Sequence, residues 1–406
     1  MGLASSGSWA RATTVAPVTL EEHIAQLNSL AFWREFTFAR NKFSPTPDKE
    51  LELADNLVWF GDRAYILQLK QRDNPTSDPI AERNWFEKKI IKKATSQIRD
   101  SQRYLDENPR IRITNEHGHS FEIERAHLRT ITKIVVFLPA PALPEDCWRM
   151  HYHISKSTGS FIHLLPVNDY SGILETLRVP EDIARYFEYR EEVTPRLREA
   201  GVSVEESDII GAFLNEEAMP TPGSHEILER LVQDTESFDL SGLLGTLHSH
   251  IERADAPYDY YKILREFARS PRSVWREVKL RVTKSLEATA AKNFARPFRL
   301  TFPENDCTFM IAPLAPELPS TGSEGVRVRT TGLSNLTQAA KYLAHTSKAV
   351  GIQISRDGEF VQIDWGLLEF PWQSDPELED RLSKNNPFRP VTEKSMDGFF
   401  FKSFAS

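Results

Sequence analysis

The spacing of apolar and polar positions changes period several times along this chain, and each change marks an element. Over residues 19–43 the apolar residues Leu20, Ile24, Leu27, Leu30 and Phe32 return near helical spacing, which predicts an opening helix with one buried side, stopped by Pro45 and Pro47. Two β-like runs follow, at 56–60 and 64–69, and Gly61-Asp62 between them predicts a tight hairpin. Residues 80–105 predict a long helix whose apolar side carries Phe86, Ile90, Ile91, Ala94 and Ile98. Further on the pattern predicts a second hairpin over 110–123 bent at His117-Gly118-His119, a buried strand at 131–138, a short strand at 161–165, and helix over most of 169–192.

The prolines and glycine of 219–224 mark a boundary. Beyond it 225–292 is mainly helical in pattern. A second linker-like stretch, 315–325, sits inside a C-terminal mixed region with a helix at 333–348 and a hairpin, 350–354 with 360–365, turned at Arg356-Asp357-Gly358. No repeat of fixed period is present. The expected fold class is therefore α/β: a mixed sheet flanked by helices at 19–210, a helical region at 211–295, and a C-terminal α+β domain at 296–406. The polar, small-residue leader 1–18 is expected to be disordered, although Met1-Gly2 with Ser6 also fits the loose myristoylation pattern.

Composition narrows the function. A length of 406 residues favours two or three domains. A formal charge of -8 argues against a protein that coats nucleic acid without specificity. Cys147 and Cys307 are the only cysteines and form no CxxC, which points to a reducing compartment without a disulfide framework. With no apolar run of membrane length, the expectation is a cytoplasmic protein without a membrane partner. No P-loop, dinucleotide fingerprint or GxSxG elbow occurs. The histidine pairs His117/His119, His151/His153 and His248/His250 lack cysteine partners and HExxH spacing, and read as turn and surface residues.

Two basic islands stand out in this acidic chain. Between Arg83 and Arg103 seven Lys or Arg face two acids, a net of +5. The second, 269–284, carries six basic residues against the single acid Glu277, and is expected to pair with acidic segments of the same chain such as 205–208.

The hairpin at 56–69 carries the candidate chemistry. With a two-residue loop, Phe60 faces Arg63 and Asp55 faces Gln68, so Asp55, Gln68 and Lys70 project to one face at the end of the hairpin, with Glu52 in reach. A three-residue loop breaks that alignment. A carboxylate and an amide oxygen can hold Mg²⁺, and a neighbouring lysine can orient a water or stabilise charge building on phosphorus. The competing reading is a plain one: QLKQRD as a polar exit from the core and Asp55-Asn56 as a turn.

The order of elements adds to this. Helix, acid-led strand, hairpin, strand ending in Gln68-Leu69-Lys70 and basic helix over 88–105 resembles the PD-(D/E)xK nuclease superfamily, in a divergent branch similar to Mrr-like and NERD-like members that carry QxK. The resemblance covers about residues 19–200 and departs from the usual pattern in lacking a proline before Asp55 and an acid at 68. It implies a restriction-endonuclease-like core and a Mg²⁺-dependent phosphodiesterase, with Mn²⁺ as a substitute ion. Asp55 and Gln68 would bind metal, Lys70 would assist catalysis, and Glu52 and the acid Glu35 would support the site. Lys89, Lys93 and Gln97, four residues apart on one helix face, would contact nucleic acid. The implied role is a DNA endonuclease, with DNA favoured over RNA, in restriction or antiviral defence. A homodimer is expected, since cutting both strands needs two sites, and the C-terminal domain is a place for a protein partner. The alternative is an inactive nuclease fold retained as scaffold or nucleic-acid-binding module.

Overall fold

The computed structural model describes residues 19–39, 41–46, 48–245, 247 and 256–389; the leader 1–18 and the pair His248 and His250 lie outside them. Helix α1 (Leu20–Ala31) opens with a capping box in which Thr19 and Glu22 satisfy each other's backbone N–H groups. It buries Leu20, Ile24 and Leu27 but ends at Ala31, well before Phe43. Leu30 points outward, 79% exposed, and Trp33 adopts a φ of 64° that no helix continues. After a 3-10 turn (Arg34–Phe36) come β1 (Thr37–Phe38), β2 (Lys42–Thr46) and β3 (Lys49–Glu52). These strands did not stand out in the sequence because Thr37–Phe38 is two residues long and KFSPT and KELE are polar, the former carrying a proline, rather than an apolar run.

Strands β4 (Asn56–Phe60) and β5 (Arg63–Lys70) pair antiparallel, Phe60 opposite Arg63 and Asn56 opposite Leu67. The loop is the two-residue Gly61-Asp62, and Gly61 supplies the left-handed φ of 59° that such a loop requires. A continuous helical stretch follows, made of α2 (Pro79–Phe86), a π-helical segment (Glu87–Ala94) and α3 (Thr95–Glu107). Then come the β6 (Ile111–Thr114) and β7 (Ser120–Ile123) hairpin, β8 (Thr130–Phe137), α4 (Glu145–Trp148), β9 (Tyr152–Ile154) and β10 (Phe161–Pro166).

These strands build a six-stranded sheet in the order β1-β4-β5-β8-β10-β9. Its β5, β8 and β10 run parallel, and the long helical stretch makes the crossover from β5 to β8 that a parallel pair demands. Alternation sorts the two faces. Val58, Phe60, Tyr65, Leu67 and Leu69 pack under α1, α5 (Val167–Leu177) and α6 (Pro180–Ala200). Leu57, Ala64 and Ile66 pack under the helical stretch, with Phe86, Ile90, Ala94 and Ile98.

The helical region holds α7 (Glu206–Leu214), α8 (Leu228–Phe238), α9 (Ser241–Leu244), α10 (Tyr260–Ala268) and α11 (Arg272–Ala290). The stretch 219–224 is not a free spacer. Asp208 accepts the Gly223 N–H at 3.0 Å, and the backbone at Ser224 lies so close to Gly211 that a Cβ there would overlap the Ser224 carbonyl. Gly211→Ala is accordingly expected to destabilise the fold by more than about 2 kcal/mol, since rigid backbone must move; a denaturation midpoint matching wild type would contradict that close approach.

The second sheet, β11-β12-β13-β14, comprises β11 (Phe298–Phe302), β12 (Cys307–Pro313), β13 (Lys348–Asp357) and β14 (Phe360–Glu369). Helix α12 (Gly322–Ala344) crosses between the parallel β12 and β13, so it starts inside the linker-like 315–325. Helix α13 (Pro376–Lys384) closes the described chain. The two sheets share one continuous apolar core: Val58 and Phe60 belong to the same cluster as Phe309 and Val350, and Trp33 stacks on Trp275 at 5.9 Å. The basic stretch 269–284 pairs internally, as the charge argument expects, but with other acids. Arg272 meets Asp182, Arg276 meets Asp234 and Arg269 meets Asp62, while the acids at 205–208 hold Arg149, Arg190 and His225. No helix among the described residues is long and apolar enough to cross a membrane.

Candidate active site

Period-two geometry puts Asp55, Gln68 and Lys70 on the sheet face beneath the basic helical stretch, where β5 ends. The three side chains meet. Asp55 Oδ2 accepts the Leu69 N–H at 2.6 Å and the Lys70 ammonium at 3.1 Å. Lys70 Nζ also lies 2.8 Å from the Leu69 carbonyl oxygen and 3.4 Å from Gln68 Oε1. Two oxygens, from Asp55 and Leu69, thus hold one cationic nitrogen, with the Gln68 carboxamide beside them. The side chains of Asp55 and Lys70 are each 14% exposed, so this charge pair is screened less than a surface pair.

Neighbouring groups hold the cluster in place. Asn56 alternates to the opposite face, where its oxygen accepts from Asn28 Nδ2 on α1 at 2.7 Å, and Tyr170 on α5 donates to Asn28 Oδ1 at 2.6 Å. The Ser101 hydroxyl of α3 donates to the Leu53 carbonyl, tying the helix to the segment that leads into Asp55. Gln97, one turn before Ser101, brings its Nε2 to 3.3 Å from the Gln68 carboxamide. Gln97 therefore stands within the cluster, while Lys89 and Lys93 lie exposed on the π-helical segment one and two turns away. With Lys88 and Lys92 they form four ammonium groups that make no ion pair among the described residues.

The donor set fits a divalent cation in part. The oxygen position of Gln68 lies 3.2 Å from both Asp55 oxygens, close to the ~3.0 Å between adjacent ligands at the 2.0–2.1 Å bond lengths of Mg²⁺. Turning the amide nitrogen to Asp55 would satisfy both side chains. Among the described residues no group of three or more His, Cys, Asp or Glu is arranged to hold a metal. A cation here would rely on Asp55, the Gln68 amide oxygen, the Leu69 carbonyl and water.

Glu52, at the end of β3, stands near enough that Asp55 and Glu21 push its carboxyl upward, although burial is the largest cause. Glu21, in the first turn of α1, is an acid near Glu52 that sequence reasoning did not name.

Glu35 does not join this cluster. It sits in the turn after α1, and the register Thr37 opposite Val58 puts it level with Phe60, at the far end of β4 from Asp55. Five strand positions separate Asp55 from Phe60, about 16 Å at a strand's rise of ~3.3 Å per residue. Glu35 instead meets His117 Nε2 at 3.2 Å and accepts from Tyr260 at 3.5 Å. The helix ends earlier than its spacing suggested, and the chain reverses before reaching Glu35. His117 and His119 are held by Glu35 and by Tyr261, the latter at 2.8 Å from His119 Nδ1.

Compared with family models, with curated proteins and with solved structures, the chain matches none.

Proposed function

We propose that the protein is a metal-dependent phosphodiesterase of PD-(D/E)xK type, acting on nucleic acid and on DNA in preference to RNA. One observation carries the reading: Asp55 Oδ2 and the Leu69 carbonyl hold the Lys70 ammonium at 3.1 and 2.8 Å, and the Gln68 carboxamide lies 3.2 Å from both Asp55 oxygens. Oxygens gathered this way form a cradle for positive charge. A divalent ion bound beside them would polarise a phosphoryl oxygen and lower the pKa of a bound water. Asp55 would fix the cation side of the cradle and Gln68 would add a neutral oxygen. Lys70 would turn its ammonium toward the scissile phosphate, where a fixed cation in a partly dry site stabilises the developing charge. The order of the site supports the same assignment: an antiparallel β4–β5 pair, then a basic helix crossing to the parallel β8.

The four exposed lysines of the π-helical segment would hold the phosphate backbone beside the cradle. Lys89→Ala with Lys93→Ala is expected to weaken duplex binding and to reduce the slope of log K against log salt by about two, one for each phosphate no longer neutralised. Filter-binding across a salt series reads it, and an unchanged slope would remove these residues from the interface.

Glu52 would tune the ion. Because burial and the neighbouring acids raise its pKa, the carboxylate is lost as pH falls through that raised value, and cation affinity falls with it. Glu52→Gln is expected to raise the Mg²⁺ concentration for half-activity roughly tenfold at pH 7.5, about 1.4 kcal/mol, and to flatten its dependence as pH falls from 7.5 toward the ordinary carboxylate value of 4.5. A Mg²⁺ titration at the two pH values decides it.

A second reading has its own observation. The ammonium of Lys70 already fills the cradle, and the Gln68 amide satisfies Asp55 through its nitrogen, as a nuclease fold kept as scaffold would show. Wild-type protein incubated with Mg²⁺ or Mn²⁺ and a panel of duplex and single-stranded DNA and RNA separates them. Metal-dependent cutting that Asp55→Asn abolishes supports the enzyme, and no cutting of any substrate supports the scaffold.

A further inference from the structure

The C-terminal unit contains a cleft of about 450 Å³ between the end of α12 and the segment joining β14 to α13, a volume in the range of small-molecule sites. Lys341, Phe370 and Trp372 line it, together with Tyr342, Gln338 and Gln373. Two of these side chains are placed against their preference. Lys341 is only 2% exposed, yet it makes no ion pair among the described residues; its ammonium lies 3.9 Å from the centre of the Phe370 ring. Phe370 is 47% exposed. A lysine this buried, with no ion pair among the described residues to hold it, and a phenyl ring left in water both cost free energy in the isolated protein. A single occupant that brings an anion to the lysine and a flat apolar surface to the ring removes both costs.

The rest of the cleft is stiff, as a preformed site requires. Trp372 stacks on His345 at 4.5 Å and 12° and donates its indole N–H to the Tyr342 carbonyl at 3.1 Å. The Tyr342 hydroxyl accepts the Asp375 N–H at 3.4 Å, and Asp375 caps α13 through Leu378 N at 2.9 Å. Burial lowers the Lys341 pKa, with Asp306 the acid that opposes this, but Asp306 is engaged by Ser347. One buried cation suits one anionic group. Asp375 and Glu377, which also line the cleft, disfavour a polyanion, and the amides of Gln338 and Gln373 can read the edge of a polar ring.

From this juxtaposition we infer that the cleft binds a small planar aromatic anion, its anionic group on Lys341 and its ring against Phe370 and Trp372. This site is independent of the cluster at Asp55 and does not rest on the nuclease reading. The anion can be the phosphate of a mononucleotide or the carboxylate of an aromatic acid, and the shared chemistry is a ring with one negative group.

Isothermal titration of the full chain tests it with four probes: adenosine 5′-monophosphate, indole-3-acetate, and the incomplete probes adenosine and inorganic phosphate. At least one complete probe is expected to bind with a Kd below about 1 mM and at least roughly tenfold tighter than either incomplete one. Preference for the nucleotide or for the acid identifies the source. Lys341→Met and Phe370→Ala should each weaken that binding roughly tenfold or more, whereas Lys70→Ala, at the other site, should leave it unchanged. Phe370 is half-exposed, so its variant reports on the cleft even if Lys341→Met compromises folding. Failure of both complete probes to bind, or binding that survives Phe370→Ala, overturns the inference.

Discussion

Replacing Asp55 or Lys70 by alanine is expected to lower Mg²⁺-dependent phosphodiester cleavage by on the order of 10³-fold, the scale on which single preorganised charges act in water-poor sites. The two variants fail for different reasons. Without Asp55 the cradle loses its only carboxylate in direct contact, leaving neutral oxygens and an uncompensated ammonium that repels a metal ion. Without Lys70 the cation can still bind, and its affinity should rise, but the charge that develops on the phosphate loses its fixed partner.

The pair therefore separates binding from catalysis: Asp55→Ala removes the Mg²⁺ response altogether, whereas Lys70→Ala keeps Mg²⁺ binding and loses turnover. Folding must be watched in both. Asp55 accepts the Leu69 N–H, so its loss leaves a backbone donor unpaired at a cost of about 1–3 kcal/mol, and Asp55→Asn, which keeps an acceptor in place, is the cleaner variant. If Asp55→Asn and Lys70→Met fold and cleave at wild-type rates, the catalytic assignment is wrong.

The largest expected effect on stability lies away from that site. Asp182→Ala should destabilise the protein by about 3–5 kcal/mol, the cost of stranding a buried charge. Asp182 and Arg272 are both fully buried and meet at 2.5 Å. Arg272 also donates to the Leu177 carbonyl at 3.1 Å and lies over the Phe238 ring. The pair joins α6, which covers the first sheet, to α11, which covers the second, so its loss loosens the joint between them. Two controls isolate the mechanism. Replacing both partners with Arg272→Met and Asp182→Leu should recover most of the loss, because no charge is left stranded. Removing the exposed pair Lys384–Asp380, whose side chains are 72% and 60% exposed, should change stability by less than about 0.5 kcal/mol. A urea midpoint for Asp182→Ala indistinguishable from wild type would show that the ion pair is not a stabilising one.

The candidate site was legible to the extent that it depends on local register. A glycine followed by aspartate between two apolar runs signals a two-residue loop, and once the register puts Phe60 opposite Arg63, that loop length decides that Asp55, Gln68 and Lys70 share a face. Gln97 could be added from the sequence, since it follows the apolar residues of a helix whose period was clear. Glu21 and Glu35 could not be told apart, because the end of α1 is set by Trp33 turning to a positive φ, a choice that packing against Trp275 and Phe36 rewards and no spacing rule contains.

By itself, then, the sequence determined what short-range chemistry can decide: where alternation and helical period lie, where glycine and proline interrupt them, and which residues a tight turn brings side by side. Tertiary structure decided the rest. It turned the proline-rich 219–224 into a packed corner against Gly211, paired the basic 269–284 stretch with Asp182, Asp234 and Asp62, and ran one apolar cluster from the first sheet to the second. Those outcomes depend on contacts between residues tens to hundreds of positions apart, and the free energy of such contacts is set by burial and by which partner reaches first, quantities that no window of sequence carries.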